Sequence, residues 1–340
     1  MMDFSKVYQF LNSAKNILCI THTAPDLDGI SSMLAFYQAF KDFPLQSVTP
    51  SESKDEEKRN FILLLEDIPR KAYYLPGIEA ITKVEDLSTN IHPELLIVFD
   101  AHCPKRINEK VLSFFNRPRF AIIFDHHHRE ACEPFAEEQI ELIDPSSPST
   151  TALLFDFFTF TNMPITQEVA TLLLFGLYYD TGGFRYENVS ARTFEMASQL
   201  VKLGASPSAV ANAIYSNRTL GEVNLLKSAL NRMKLLKDGK VIITYLTKED
   251  FERYGKELDD LASFFRDVEG VMLSILVKEL DYDHISVSLR SKPPYPCLPL
   301  AKEFRGGGHA YACGFRVRSQ SLEEVIKLLE EKISQLEFGR

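Results

Sequence analysis

Short apolar runs that stop on polar or acidic residues recur through the first half of the chain: NILCITH (16–22), LLIVFDA (95–101) and FAIIFDHH (120–127). Runs this rich in Ile, Val and Phe predict strands buried on both faces of a parallel sheet, with helices such as GISSMLAFYQAF (29–40) between them. That alternation is an α/β pattern. In an open parallel sheet, ligands bind beyond the carboxyl ends of the strands, and this chain puts its Asp and His residues there.

From about 149 to 235 the periodicity turns helical, through TTALLFDFFTF, QEVATLLLFGLYY, ARTFEMASQLVKLG and TLGEVNLLKSALNRMKLL, with Gly204 as a C-terminal stop. After the Asp238-Gly239 turn dipeptide, strands return as VIITYLT (241–247), VMLSILVKEL (271–280) and HISVSLRS (284–291). The chain closes with CGFRVRS, read as a strand, and SLEEVIKLLEEKISQLE, an amphipathic helix with Ser321 and Glu324 as a capping box. The expected organisation is a first domain over 1–216, a linker helix over 217–238 and a smaller α/β domain over 239–340. No internal repeat or low-complexity tract interrupts it.

Composition narrows the function classes. The 340 residues exceed the usual size of one domain. With 45% hydrophobic and 25% charged residues the chain can bury ordinary cores. The formal charge of −9 argues against a broad basic surface, and so against long duplex nucleic acid as partner. The five cysteines are scattered, with no C-x-x-C pair, and are expected to be reduced. MMDFSKVYQFLN lacks the basic start and apolar stretch of a signal peptide, and no run reaches the roughly 20 apolar residues that span a bilayer. The expectation is a cytoplasmic protein with no membrane partner.

Four element ends carry the chemistry: His22, Asp26 and Asp28 in HTAPDLDG, Asp100 in VFDAH, Asp125, His126 and His127 in FDHHH, and Asp180 in YYDTGGF. Each has a plain alternative. Asp26 and Asp28 also suit a turn and a helix N-cap, and Asp180 suits a turn before Thr-Gly-Gly. Unpaired carboxylates are costly to bury, however, and four such coincidences at one kind of location favour a two-metal centre. Mixed oxygen and nitrogen donors suit Mn²⁺, with Mg²⁺, Fe²⁺ or Zn²⁺ as alternatives.

HTAPDLDG, VFDAH, FDHHH and YYDTGGF, in this order, resemble the four motifs of the DHH phosphoesterase superfamily. The later segment VSLRSKPPYPCLPLAKEFRGGGHAYACGF resembles its associated C-terminal domain. The likeness covers most of the chain and is closest to bacterial oligoribonucleases (nanoRNases) that also act on 3′-phosphoadenosine 5′-phosphate. It implies one metal held by His22, Asp26 and Asp100, and a second held by Asp28, Asp100, His126 and Asp180, with the active site in an interdomain cleft. It further implies His127 near the scissile phosphate, supported by Asp125. Arg290, His309 and the amides of Gly306, Gly307 and Gly308 would contact the far end of a short RNA or (di)nucleotide substrate. Where the family usually has Thr-Gly-Arg-Phe, this chain has Gly183, and Arg185 is the nominated substitute. His102 and His128 have no assigned role. The family also admits a cyclic dinucleotide phosphodiesterase, and a non-catalytic nucleotide-binding regulator is the reading from another class; a homodimer is expected by analogy.

Overall fold

The computed structural model describes residues 4–42, 59–255, 260–281 and 284–338, and the chain divides into two compact units, Met1–Asn217 and Arg218–Arg340. The fold is α/β. In the first unit, α1 (Phe4–Ser13) leads into β1 (Asn16–Thr21), α2 (Leu27–Phe40), β2 (Asn60–Leu65), β3 (Ile81–Lys83), β4 (Leu95–Phe99), α3 (Glu109–Ser113), β5 (Phe120–Asp125) and β6 (Glu138–Ile143). The six strands are parallel, in the order β3-β2-β1-β4-β5-β6. Chain order reverses between β1 and β4, and such a switch point opens a crevice at the strands' carboxyl ends.

Helices α4 (Thr150–Phe160), α5 (Gln167–Asp180), α6 (Ala191–Lys202) and α7 (Pro207–Tyr215) complete this unit. Caps set their starts: the side chains of Ser149 and Thr166 accept from Ala152 N and Val169 N. Phe36, Phe40, Phe99, Phe124, Phe157 and Phe158 are fully buried, and full burial contributes about 1.5–3 kcal/mol per side chain. Phe99 and Phe124 are register partners whose rings stack 5.7 Å apart. They immediately precede Asp100 and Asp125, so the core anchors the two strand ends that carry those acids.

The second unit contains α8 (Leu220–Asn231), β7 (Lys234–Leu236), β8 (Val241–Leu246), α9 (Lys248–Tyr254), α10 (Leu261–Arg266), β9 (Leu273–Asp281), β10 (His284–Ser291), α11 (Leu298–Glu303), β11 (Gly307–His309), β12 (Ala312–Arg318) and α12 (Leu322–Ser334). Its sheet runs β11-β12-β10-β9-β8-β7, with only β8 and β9 parallel. The helix expected over 217–238 is shorter than the sequence predicts. It ends at Asn231, and residues 234–236 form an antiparallel edge strand instead. The cause is the turn that follows: Lys237, Asp238 and Gly239 all have positive φ, which folds 234–236 back onto β8 as a hairpin.

Candidate metal centre

Every acidic and imidazole residue nominated by the four motifs lies at the carboxyl end of β1, β4 or β5 or at a neighbouring helix terminus. His22 follows β1; its Nδ1 donates to the Thr23 carbonyl at 2.9 Å, which turns Nε2 toward Asp100 Oδ2 at 3.3 Å and Asp26 Oδ1 at 3.8 Å. Asp26 caps α2, accepting from the amides of Asp28 and Gly29. Asp100 follows β4 with φ of +59°, a left-handed conformation that Asp tolerates better than most side chains. Its Oδ1 accepts from Thr150 Oγ1 at 2.9 Å and lies 3.5 Å from His126 Nε2. Asp100 therefore faces both imidazoles.

Asp28 is completely buried in the first turn of α2. Its carboxylate accepts from the Thr150 amide at 2.7 Å, the Thr151 amide at 3.1 Å and Thr151 Oγ1 at 2.8 Å. An anion at the N-terminus of α4 satisfies that helix's unpaired amides and meets the positive end of its dipole. His126 faces Asp180, the last residue of α5, with Nε2 3.0 Å from Oδ2, while its Nδ1 lies 3.4 Å from the Ser147 carbonyl. Three groups can each bring ligand atoms within 4.8 Å of one another: His22, Asp26 and Asp100; Asp28, His126 and Asp180; and Asp100, His126 and His127. Asp100 belongs to two of these groups and His126 to two.

Beside this cluster runs a buried chain of hydrogen bonds. The Glu130 amide donates to His102 Nε2 at 3.0 Å, so His102 carries its proton on Nδ1, which reaches Asp125 Oδ2 at 2.5 Å. Asp125 Oδ1 accepts from the His127 amide at 3.0 Å and from His127 Nδ1 at 2.8 Å. Asp125 thus fixes the orientation of His127, and His102 fixes Asp125. His128 is exposed.

The electrostatics ask for cations. Burial alone would lower His22, yet hydrogen bonds to Asp100 and Asp26 push it up to about 11. Burial and the nearby Asp180 and Asp100 charges raise Asp28 well above the carboxylate range. Burial takes Asp180 up to about 6 despite its bond to His126. Burial would also raise Asp125, but His127 and His102 hold it well below the usual range. Protons on the imidazoles are one way to offset this crowding of carboxylates. Divalent ions, taking the imidazole lone pairs and carboxylate oxygens, are the other, and they release those protons. The donor set of hard oxygens with imidazole nitrogens fits such ions.

The remaining nominated residues stand elsewhere. Gly183 has φ of +71°, a left-handed conformation that an arginine would adopt only under strain. Arg185 Nε donates to the Gly182 carbonyl at 2.6 Å and its guanidinium lies 6.0 Å from the Tyr215 ring, so it is held on its own turn. In the second unit Arg290 Nε donates to Asp260 Oδ2 at 2.8 Å. Gly307, Gly308 and His309 form edge strand β11, and His309 and Arg290 flank Ala312 in one row across the sheet. Thr150 and Thr151, which clamp Asp28 and Asp100, were not nominated individually; the Ser-Thr-Thr helix start at 149–151 is the signal that marks them.

A parallel α/β sheet whose switch point gathers His and Asp into overlapping ligand groups defines a class, the metal-dependent hydrolases with carboxylate-rich centres. Two family models give the narrower answer: "DHH family, N-terminal domain" matches residues 16–177 and "DHHA1 domain" matches residues 238–335. The chain belongs to the DHH phosphoesterase family and is a hydrolase. It is 24% identical over 323 residues to a Thermus thermophilus "Bifunctional oligoribonuclease and PAP phosphatase NrnA", covering 94% of this chain and 90% of that protein. It is also 24% identical to the Listeria monocytogenes "Cyclic-di-AMP phosphodiesterase PdeA", covering 94% of this chain but only 48% of that protein. The crystal structure of an exopolyphosphatase-related protein from Bacteroides fragilis shares the fold, with TM-score 0.79 at 23% identity over 98% of this chain and 95% of that one. Among the described residues no helix is long and apolar enough to cross a membrane.

Proposed function

We propose that this chain is a two-metal phosphoesterase that hydrolyses short oligoribonucleotides and linear dinucleotides to mononucleotides and dephosphorylates 3′-phosphoadenosine 5′-phosphate, in the cytoplasm. The observation that carries this reading is Asp100, whose Oδ2 faces His22 and whose Oδ1 faces His126. One carboxylate is thereby offered to two ligand groups. His22, Asp26 and Asp100 would hold one ion, and Asp28, Asp100, His126 and Asp180 the other. Mn²⁺ is the metal that best suits this donor mixture. Bound ions would supply a nucleophile at neutral pH and neutralise charge on the scissile phosphate.

The chain's own residues do the rest. Thr150 and Thr151 keep Asp100 and Asp28 aimed by donating hydrogen bonds to their carboxylates. Asp125 Oδ1 accepts from His127 Nδ1, which would turn the Nε2 edge of the ring toward the phosphate or leaving group. In the second unit, edge strand β11 offers the backbone of Gly307 and Gly308, with Gly306, His309 and Arg290, to the distal end of the substrate. The names of the relatives support short RNA and nucleotide substrates, and the Listeria relative supports a cyclic dinucleotide as the second reading.

Release of phosphate and mononucleotide from pApA, cyclic di-AMP, a five-residue RNA and 3′-phosphoadenosine 5′-phosphate, each with Mn²⁺ and with chelator, tests the reading. Manganese-dependent cleavage of the linear substrates is the expected result. Cleavage confined to cyclic di-AMP moves the protein to the second reading, and no cleavage at all revives a nucleotide-binding regulator.

A further inference from the structure

We propose that Arg106 is a phosphate-binding residue of the catalytic domain, its guanidinium taking non-bridging oxygens of the phosphoester beside His127. The inference rests on the phosphoesterase reading of the centre. Arg106 closes the one-turn Pro104–Arg106 segment that follows β4. Its carbonyl accepts from the Thr23 amide at 2.6 Å, which ties it to the loop carrying His22 and Asp26. The main chain of Arg106 is therefore tied to the neighbouring loop at the switch point.

The side chain then reaches the reactive imidazole, with one terminal guanidinium nitrogen 3.4 Å from His127 Nε2. Among the described residues this guanidinium meets no carboxylate, although the chain has 47 acidic residues against 38 lysines and arginines and five aspartates line the neighbouring cluster. The residue is partly exposed, so a ligand can reach it. Arg185, the other arginine considered for the catalytic domain, bonds the Gly182 carbonyl and lies against Tyr215. A planar fork of five donors is matched to phosphate oxygens. It also places a positive charge beside His127.

The test uses the full chain loaded with Mn²⁺ and the variants Arg106→Ala, Arg106→Gln and Arg106→Lys. Binding of inorganic phosphate is measured by calorimetry, and KM and kcat are measured on pApA and on bis(p-nitrophenyl) phosphate. Arg106→Ala and Arg106→Gln should weaken phosphate binding and raise KM by about 10- to 100-fold, the loss expected for hydrogen bonds to a charged group. Arg106→Lys should recover part of that loss, and the thermal midpoint should stay at the wild-type value. Should the alanine variant fail to fold, the glutamine variant reads the same quantity. Phosphate binding and KM within twofold of wild type in the neutral variants overturn the proposal, as does a loaded wild type that binds no phosphate. Wild-type turnover of the chromogenic diester without turnover of pApA would instead sink the nucleotide reading, while the phosphate and diester measurements still decide on Arg106.

Discussion

Gly176 in the middle of α5 should be the most informative position to perturb away from the ligands themselves. A Cβ there would stand 2.3 Å from Asp28 Oδ1, 2.4 Å from Thr151 Cγ2 and 2.5 Å from Thr151 Oγ1. On an unconstrained helix, Gly→Ala gains about 1 kcal/mol. Here the added methyl forces Asp28 to retreat from 2.3 Å toward the ordinary contact distance of 3.4 Å, against three hydrogen bonds that hold it at the N-terminus of α4. Overpacking a tight core costs about 1–3 kcal/mol, so the net change is a loss of up to about 2 kcal/mol. A displacement of about 1 Å at a reacting centre costs on the order of 100-fold in rate. Gly176→Ala should therefore lower the urea midpoint modestly, reduce the metal content retained on desalting and cut manganese-dependent turnover about 100-fold. A variant stabilised by about 1 kcal/mol with wild-type turnover would show that α5 has room to move and that Asp28 is not held as described.

Asp100→Asn should abolish turnover while circular dichroism stays unchanged, because Asn also tolerates the left-handed conformation at φ +59°; chelation of the wild type should do the same and Mn²⁺ should reverse only the chelation. Gly306→Ala should lower the unfolding midpoint, since its Cβ would meet Gly314 O at 2.4 Å and Phe315 Cβ at 2.7 Å, whereas Gly307→Ala meets nothing within 4 Å. Gly307→Ala thus isolates the substrate contact: unchanged stability with a raised KM for pApA is expected, and an unchanged KM would remove β11 from the substrate site. Burial raises Asp250, but Arg232 and Thr247 hydrogen bonds hold it below the usual carboxylate value. Its folded value lies below the unfolded one, so this stabilisation is present above about pH 3.9 and lost as pH falls through the folded value. Arg232→Met should lower the urea midpoint more at pH 7 than at pH 3, and an equal loss at both would refute the pairing.

The strands that carry the centre were legible because they are buried on both faces, so β1, β4 and β5 read as unbroken apolar runs. β2 reads less clearly because its first residues are exposed or half-buried, and β3 is only three residues long at the sheet edge. β6, the other edge, mixes Glu and Gln with Ile and alternates too weakly to announce a strand. The linker helix was overextended because Leu235 and Leu236 continue a helical apolar spacing, and only the hairpin pairing to β8 captures them as strand. The sequence nominates Arg185 by its distance from a motif position; in the structure its Nε donates to the Gly182 carbonyl beside the left-handed turn at 182–184. Arg106 carries no local signal, since its proposed role depends on His127, which follows β5 and lies 21 residues away in sequence.

Treating Asp26 as either a helix cap or a metal ligand poses a choice that the carboxylate does not have to make. An ionised carboxylate has two oxygens and about four acceptor sites. At Asp26 both capping amides go to Oδ1, which leaves Oδ2 uncommitted to the helix. Asp100 uses its acceptor capacity differently, with Oδ1 accepting from Thr150 while also facing His126, and Oδ2 facing His22. The hydrogen bonds that make each aspartate look structural are what stop it from turning away when crowded by its neighbours. A dense acidic cluster can hold its geometry before a cation arrives only if such donors are built in, and here they come from the N-termini of α2 and α4. Capping and the proposed ligation are therefore compatible in one carboxylate, and loss of the Thr150 hydroxyl should weaken metal affinity before it weakens the fold.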